Sequence, residues 1–261
     1  MGIVWSGLAP HPPIIVESVG GARCSEVQTT IDSMWELARD FIASTPDRLI
    51  LISPHTPRPR AGIAGWFKGR IQGNLSRFGA PQTRIDLPAD EDWATRFKTA
   101  YPQAADLGSE PLDHGAMVPL HFIYEAGWRG PTCVFGLPYW PGAEDLDRIG
   151  VALAASASSG KTAVLASGDM SHCLKPGAPA GFDEGGKLFD AAFVEKVRNS
   201  CYKDACQLDS DLQEAARQDV VESCHIAWSA NGYRDNNHRF LSYEGPFGVG
   251  YTVMKFYGDN A

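Results

Sequence analysis

The chain has 261 residues, of which 44% are hydrophobic, 21% charged and 10% aromatic, with 31 acidic against 23 basic side chains. That composition is ordinary for a globular protein and excludes disorder, collagen and coiled coil; at roughly 150 residues per domain, the span 1–261 is read as one large domain. A net charge of −8 argues against nucleic acid or an anionic membrane as the main partner, and no apolar run reaches the roughly 20 residues that span a bilayer.

The opening MGIVWSGLAPHPP has no positive n-region and no small-residue cleavage site, so no signal peptide is expected there. Ile3 to Leu8 reads as a strand, closed by Pro10, Pro12 and Pro13, which forbid helix and hold the following loop extended. Ser25 to Ala43 places Val27, Ile31, Met34, Leu37, Ala38, Phe41 and Ile42 at helical spacing. Arg48 to Ser53 is a buried strand stopped by Pro54 and Pro57. Short strands are expected around Ile63 to Phe67 and Thr83 to Leu87, then a helix over Asp90 to Ala100. Asp113-His114-Gly115 opens another helix through Val118, Leu120, Phe122 and Ile123. Thr132 to Leu137 is a strand, Glu144 to Ala157 a helix, and Thr162 to Ser167 a strand leading into Gly168-Asp169-Met170-Ser171-His172. Two or three acidic helices fill 183 to 232, and an aromatic strand pair between Arg239 and Tyr257 closes the chain. Strands alternating with helices imply a layered α/β fold, three layers deep, with a central mixed sheet between helices.

Cysteines Cys24, Cys133, Cys173, Cys201, Cys206 and Cys224 form no CxxC, and a chain of this length needs no disulfide staples, so a reducing cytoplasm is the expected location. Charge is uneven: between Arg48 and Arg84 there are seven basic residues and no acid, either a solvated face or a positive wall beside a site for an anionic substrate.

The histidines carry the functional signal. His11, His55 and His172 each follow the end of a buried strand, and loops leaving the carboxyl ends of strands in open α/β sheets converge on one crevice. Neutral imidazoles delivered to one edge suit Fe(II), Zn(II), Cu or Ni, and spacing alone selects none of them. By contrast His121 is expected to pack at the helix rim, His225 to lie on a helix, and His238 to sit in a surface loop.

Five segments together carry a family resemblance: Pro10-His11-Pro12-Pro13, Ser53-Pro54-His55, Leu112-Asp113-His114-Gly115-Ala116-Met117-Val118-Pro119-Leu120, Ser167-Gly168-Asp169-Met170-Ser171-His172, and Ser242-Tyr243-Glu244-Gly245-Pro246-Phe247-Gly248-Val249-Gly250. In this order they resemble the class III extradiol ring-cleavage dioxygenase subunit-B (LigB-type) superfamily, nearest its compact branch, which includes the Memo-like proteins. The resemblance implies a LigB-like fold and an O2-dependent, Fe(II)-dependent cleavage of a catechol- or aminophenol-type ring. It implies iron ligands at His11 and His55, a catalytic acid/base at His172 and a substrate-facing histidine at His114. The third ligand it implies, a glutamate near the start of a late helix, matches Glu222, with Cys224 and His225 as alternatives two and three residues on. Asp113 and Asp169 are candidates to orient imidazole N–H groups, although Asp113 reads equally as a helix N-cap. Arg58, Arg60 and Tyr139 are the expected substrate-binding residues. Two other readings stand beside this one: a Memo-like metal-binding or redox protein or non-catalytic subunit, and a zinc-dependent hydrolase. Closure of the pocket by a second copy or by a small partner subunit is open under each.

Overall fold

The computed structural model describes residues 2–259. In chain order the strands are β1 (Ile3–Ala9), β2 (Arg48–Ile52), β3 (Ile63–Trp66), β4 (Arg70–Leu75), β5 (Ala80–Pro88), β6 (Ala104–Asp106), β7 (Thr132–Phe135), β8 (Thr162–Ser167), β9 (Arg239–Glu244) and β10 (Tyr251–Gly258). The helices are α1 (Glu17–Gly20), α2 (Gln28–Ala43), α3 (Glu91–Ala100), α4 (His114–Glu125), α5 (Ala143–Ser156), α6 (Glu184–Arg198), α7 (Tyr202–Cys206), α8 (Ser210–Ala216) and α9 (Val221–Ala230).

Eight strands form one mixed sheet in the order β6-β3-β7-β2-β8-β1-β10-β9. Its centre, β7-β2-β8-β1, is parallel, and the flanks bring in antiparallel pairs at β3 and at β10-β9. Central strands covered on both faces read as continuous apolar runs, as Arg48-Leu-Ile-Leu-Ile52 does, with every residue buried. One face carries α2, α4 and the separate β4–β5 hairpin, packed through Met34, Phe41, Met117, Leu120, Ile71 and Leu87. The other carries α3 and α5 to α9, packed through Trp93, Phe97, Leu153, Phe193, Tyr202 and Trp228. The expected α/β/α layering with a mixed sheet is therefore present.

Differences from expectation are local. Strand β4 was not foreseen, because Arg70-Ile-Gln-Gly-Asn-Leu75 offers only Ile71 and Leu75 as buried apolar residues. It exists by pairing with β5, which starts at Ala80 rather than Thr83. The segment 183–232 holds four helices where two or three were expected. β6, three residues long, is also additional.

Candidate metal centre

Because β1, β2, β7 and β8 run parallel, their carboxyl ends open on a single edge. The loop after β1 presents His11, the loop after β2 presents His55, and the loop after β8 presents Asp169 and then His172. Two helix starts complete the edge: His114 is the first residue of α4, and Asp219 and Glu222 bracket the first turn of α9.

His11, His55 and His114 each offer a ring nitrogen, all within 4.8 Å of one another. The closest approach is Nε2 to Nε2 between His11 and His55, 3.0 Å. Two nitrogens about 2.1 Å from one ion and at right angles around it are about 3.0 Å apart, so this spacing fits a shared cation. The carboxylate that faces the pair is Asp219, whose Oδ2 lies 3.5 Å from His11 Nε2 and 3.3 Å from His55 Nε2. Two imidazoles with one carboxylate is a donor set suited to ferrous iron, and the three-imidazole cluster is one suited to zinc.

The backbone explains why these groups meet. Pro119 has no N–H, so the Gly115 carbonyl four residues earlier in α4 lacks its helical donor, and the Ser167 hydroxyl fills the place at 2.6 Å. With its proton committed there, Ser167 Oγ accepts from His11 Nδ1 at 2.9 Å, which turns His11 Nε2 toward the cluster. Asp113 positions the segments that carry the other two histidines. It caps α4 by accepting from the Ala116 N–H, and it accepts from Ser53 Oγ at 2.6 Å and Thr56 Oγ1 at 2.8 Å, on either side of His55. Asp113 thus ties the β2 loop to the start of α4 but bonds no imidazole itself, so its role as an imidazole-orienting acceptor gives way to the cap. Asp169 accepts from the His11 N–H at 2.8 Å and donates its own N–H to Asp219 Oδ1 at 2.7 Å. Gly168 makes this strap possible, because a Cβ there would stand 2.4 Å from Val220 Cα.

The electrostatics favour positive charge at the centre. Burial lowers the pKa of His11, but Asp169 and Asp219 outweigh it and carry the group up to about 9. Burial works against the charged form of Asp219 as well, yet His11 and His55 hold it well below the usual carboxylate range. His114 is pushed down to about 4 by burial and by the neighbouring His55 and His11, leaving it neutral with a free lone pair. A buried point that stabilises a proton on His11 between carboxylates offers the same field to a metal cation.

The remaining expected residues are distributed as follows. Glu222 does not face the histidines: in the first turn of α9, its carboxylate pairs with Arg58 at 3.1 Å. Cys224 is fully buried in the core, and His225 points away to Asp147 Oδ1 at 3.0 Å, so neither alternative reaches the cluster. Arg58, committed to Glu222 and to the Pro138 carbonyl, is not free for a substrate, and Arg60 is exposed without lining the cavities beside the histidines. Tyr139 stands 58% exposed on the edge, ring against Trp140, rather than walling a pocket. His172 lines a cavity of 290 Å³ with Asp169, Tyr251 and Arg23, and its Nδ1 is buried with no hydrogen-bond partner among the described residues. A second cavity, of 520 Å³, is lined by His55 and His114. His121 packs against Phe122, and His238 bonds Ser200 Oγ near the surface. Asp219 and Ser167 were not singled out from the sequence; the available signals were an acid one turn ahead of Glu222 and a hydroxyl closing a buried strand.

Three comparisons bear on this site. Residues 7–254 match the family described as the catalytic LigB subunit of aromatic ring-opening dioxygenase. Protein CA_C1420 of Clostridium acetobutylicum is 28% identical over 264 residues, covering 95% of this chain and 56% of the relative, so the chain spans about half the length of that curated relative. The crystal structure of the uncharacterized protein JW3007 from Escherichia coli K12 superposes with a TM-score of 0.66 at 13% identity, over 97% of this chain and 99% of that one, a likeness of fold. With the match running through every segment that supplies the histidine edge, the chain belongs to the LigB family of aromatic ring-opening dioxygenase catalytic subunits.

Proposed function

We propose that the protein is a non-haem, Fe(II)-dependent extradiol dioxygenase that opens a catechol- or aminophenol-type ring with O2, the whole span acting as one domain in a reducing cytoplasm. The observation that carries this reading is the convergence of His11 Nε2 and His55 Nε2, 3.0 Å apart, on the Asp219 carboxylate. Ferrous iron held by these three groups would supply the binding positions for two adjacent substrate donors and O2, and the route for electrons between them.

The chain's own residues supply the rest. His172, one loop beyond β8, takes a substrate hydroxyl proton and later returns one; its buried Nδ1, unpaired among the described residues, is a group held for a partner that arrives with the substrate. Neutral His114 offers a hydrogen bond to a substrate oxygen from the wall of the larger cavity. Asp169 and Ser167 hold His11 in place, and Arg58 neutralises Glu222 beside the centre. A second copy or a small partner subunit is the proposed cover for the exposed edge. One observation favours a second reading: three clustered imidazoles are also a zinc hydrolase's ligand set.

Anaerobic loading with Fe(II) or Zn(II), followed by oxygen uptake on catechols, dihydroxybenzoates and aminophenols, tests both. The expected result is uptake that requires iron and is lost in His172→Ala. Asp219→Asn should weaken iron binding by at least about tenfold while Glu222→Gln leaves it within about twofold. The reverse order of the two variants would make Glu222 the ligand. Stoichiometric zinc with no uptake on any substrate would replace the dioxygenase with the hydrolase.

A further inference from the structure

Left-handed backbone is costly for a residue with a Cβ and collects where a side chain must be aimed. Among the described residues six non-glycines adopt it, and three of them meet at one place. Ser200 and Tyr233, each at φ 57°, line a cavity of 360 Å³, and Asn237, at φ 55°, precedes His238, which reaches Ser200. The cavity lies at the opposite end of the sheet from the histidine cluster. Its His238 loop is tied there by the Asn236 carbonyl, which accepts from the Gly258 N–H, and Gly258 pairs with Trp5 near the start of β1.

Ser200 stands two residues beyond the end of α6. His238 Nδ1 is 3.1 Å from Ser200 Oγ, and His238 Nε2 is 3.3 Å from the carbonyl of Arg198, the last residue of α6. A carbonyl only accepts, so Nε2 carries the proton and Nδ1 is the lone pair that takes the Ser200 hydroxyl. Hydroxyl, imidazole and a fixed acceptor behind the imidazole are the parts of an activated nucleophile, with a helix-end carbonyl in the place of a carboxylate. The negative end of α6 also favours the imidazolium that forms when His238 takes the proton. Tyr202, the other hydroxyl beside Ser200, has given its proton to the Phe256 carbonyl at 3.1 Å and competes with His238 for the serine proton. Cys201 lines the same cavity, but its thiol is turned to the Asn199 carbonyl at 3.6 Å. Lys203 brings a cation to the wall, its Nζ 5.2 Å over the Tyr233 ring and in no ion pair among the described residues. Asp204, the acid on that wall, is drawn to Lys196 at 4.0 Å.

We propose that Ser200 and His238 form a catalytic site separate from the metal centre, one that hydrolyses small carboxylic esters. Ser200 Oγ attacks the ester carbonyl carbon while its proton passes to His238 Nδ1, and Lys203 stabilises the oxyanion. The bond to the alcohol oxygen breaks, and that oxygen leaves with the proton from His238. Water then gives a proton to His238 and attacks the acyl-serine. The carboxylic acid departs, and the proton on His238 restores the Ser200 hydroxyl. A cavity of 360 Å³ is at the small end for ligand sites, which confines the acyl group to a short one. No step requires a metal, so the inference stands apart from the ring-opening reading.

The test uses the full chain in chelator, with p-nitrophenyl acetate as substrate and a fluorophosphonate as covalent probe. Hydrolysis should persist without metal, and mass spectrometry should find the fluorophosphonate on Ser200. His238→Gln should slow both reactions by at least about a hundredfold, the usual share of a general base. Lys203→Met should slow hydrolysis by at least about tenfold. Ser200→Gly removes the nucleophile and suits φ 57° better than serine does, so lost activity with an unlowered melting temperature isolates the hydroxyl. Hydrolysis no faster than by the urea-denatured chain would overturn the inference. So would a label on Cys201, Lys203 or Tyr233 in place of Ser200, rates unchanged in His238→Gln, or activity abolished by the chelator.

Discussion

At the scale of single residues, the orientation of His11 traces back to a missing hydrogen. Pro119 leaves the Gly115 carbonyl without a helical donor, Ser167 supplies one, and the remaining acceptor capacity of Ser167 takes His11 Nδ1. Ser167→Ala would strip the partner from a buried carbonyl and a buried imidazole together, each costing about 1–3 kcal/mol when left unsatisfied. It should also lower metal affinity by about 10- to 100-fold, the usual effect of removing a group that orients a ligand histidine. Competition against a chromophoric chelator, alongside thermal melting, would read both; unchanged affinity would show that His11 keeps its orientation without the hydroxyl. The choice between Asp219 and Glu222 belongs to the same scale. Asp219 lies just ahead of α9 and Glu222 in its first turn, but Arg58 reaches Glu222 from the β2 loop, while the shorter Asp219 is anchored through Oδ1 by the Asp169 N–H and faces the histidines with Oδ2.

At the scale of elements, the start of α4 is a joint between helix and sheet. Its Asp113 cap binds both hydroxyls that flank His55, and its second residue, Gly115, touches the same loop. A Cβ at Gly115 would stand 2.6 Å from Ser53 Oγ and 3.1 Å from His55 Cδ2. Gly115→Ala should therefore cost about 1–3 kcal/mol of stability, as overpacking in a tight contact does, and push the His55 ring out of line with His11. Weaker metal binding than the stability loss alone produces, measured well below the melting temperature, is the expected signature. Normal metal binding would mean that the loop yields without moving the ring. The β4–β5 hairpin is the element least legible in sequence, because its register depends on cross-strand pairing and on Met117 of α4 packing against Gly73, neither of which marks a local pattern.

At the scale of the whole molecule, Asp190 on α6 joins three regions, accepting from the Ser171 N–H at 2.8 Å and from the Tyr243 hydroxyl at 2.8 Å. It thereby holds the loop that carries His172 against α6 and β9. Burial raises its pKa from 3.8 to about 6. Between those two values the folded chain keeps a proton that the unfolded chain releases, so stability attributable to this group falls as pH rises through the window and levels off above it. Asp190→Asn removes that dependence. Relative to the parent, the variant should gain stability on going from about pH 4 to about pH 7.5, by up to about 3 kcal/mol at 1.36 kcal/mol per pKa unit. Urea melts at the two pH values measure the difference, and a parent-to-variant gap that does not change with pH would refute the assignment.

The α/β class, the buried central strands, the cap at Asp113 and the delivery of His11, His55 and His172 to strand ends are all legible in the chain, because apolar runs, proline stops and capping residues are local signals. His114 is legible too, its place from the helix start behind the Asp113 cap and its role only from the family resemblance. Which carboxylate meets the imidazoles, and that Arg58 is spent on Glu222, emerge only when the folded chain brings these side chains together. Those outcomes depend on competition between side chains from the β2 loop and the start of α9, segments far apart in the chain. No local pattern encodes which partner a charged group finds once the sheet has brought them together.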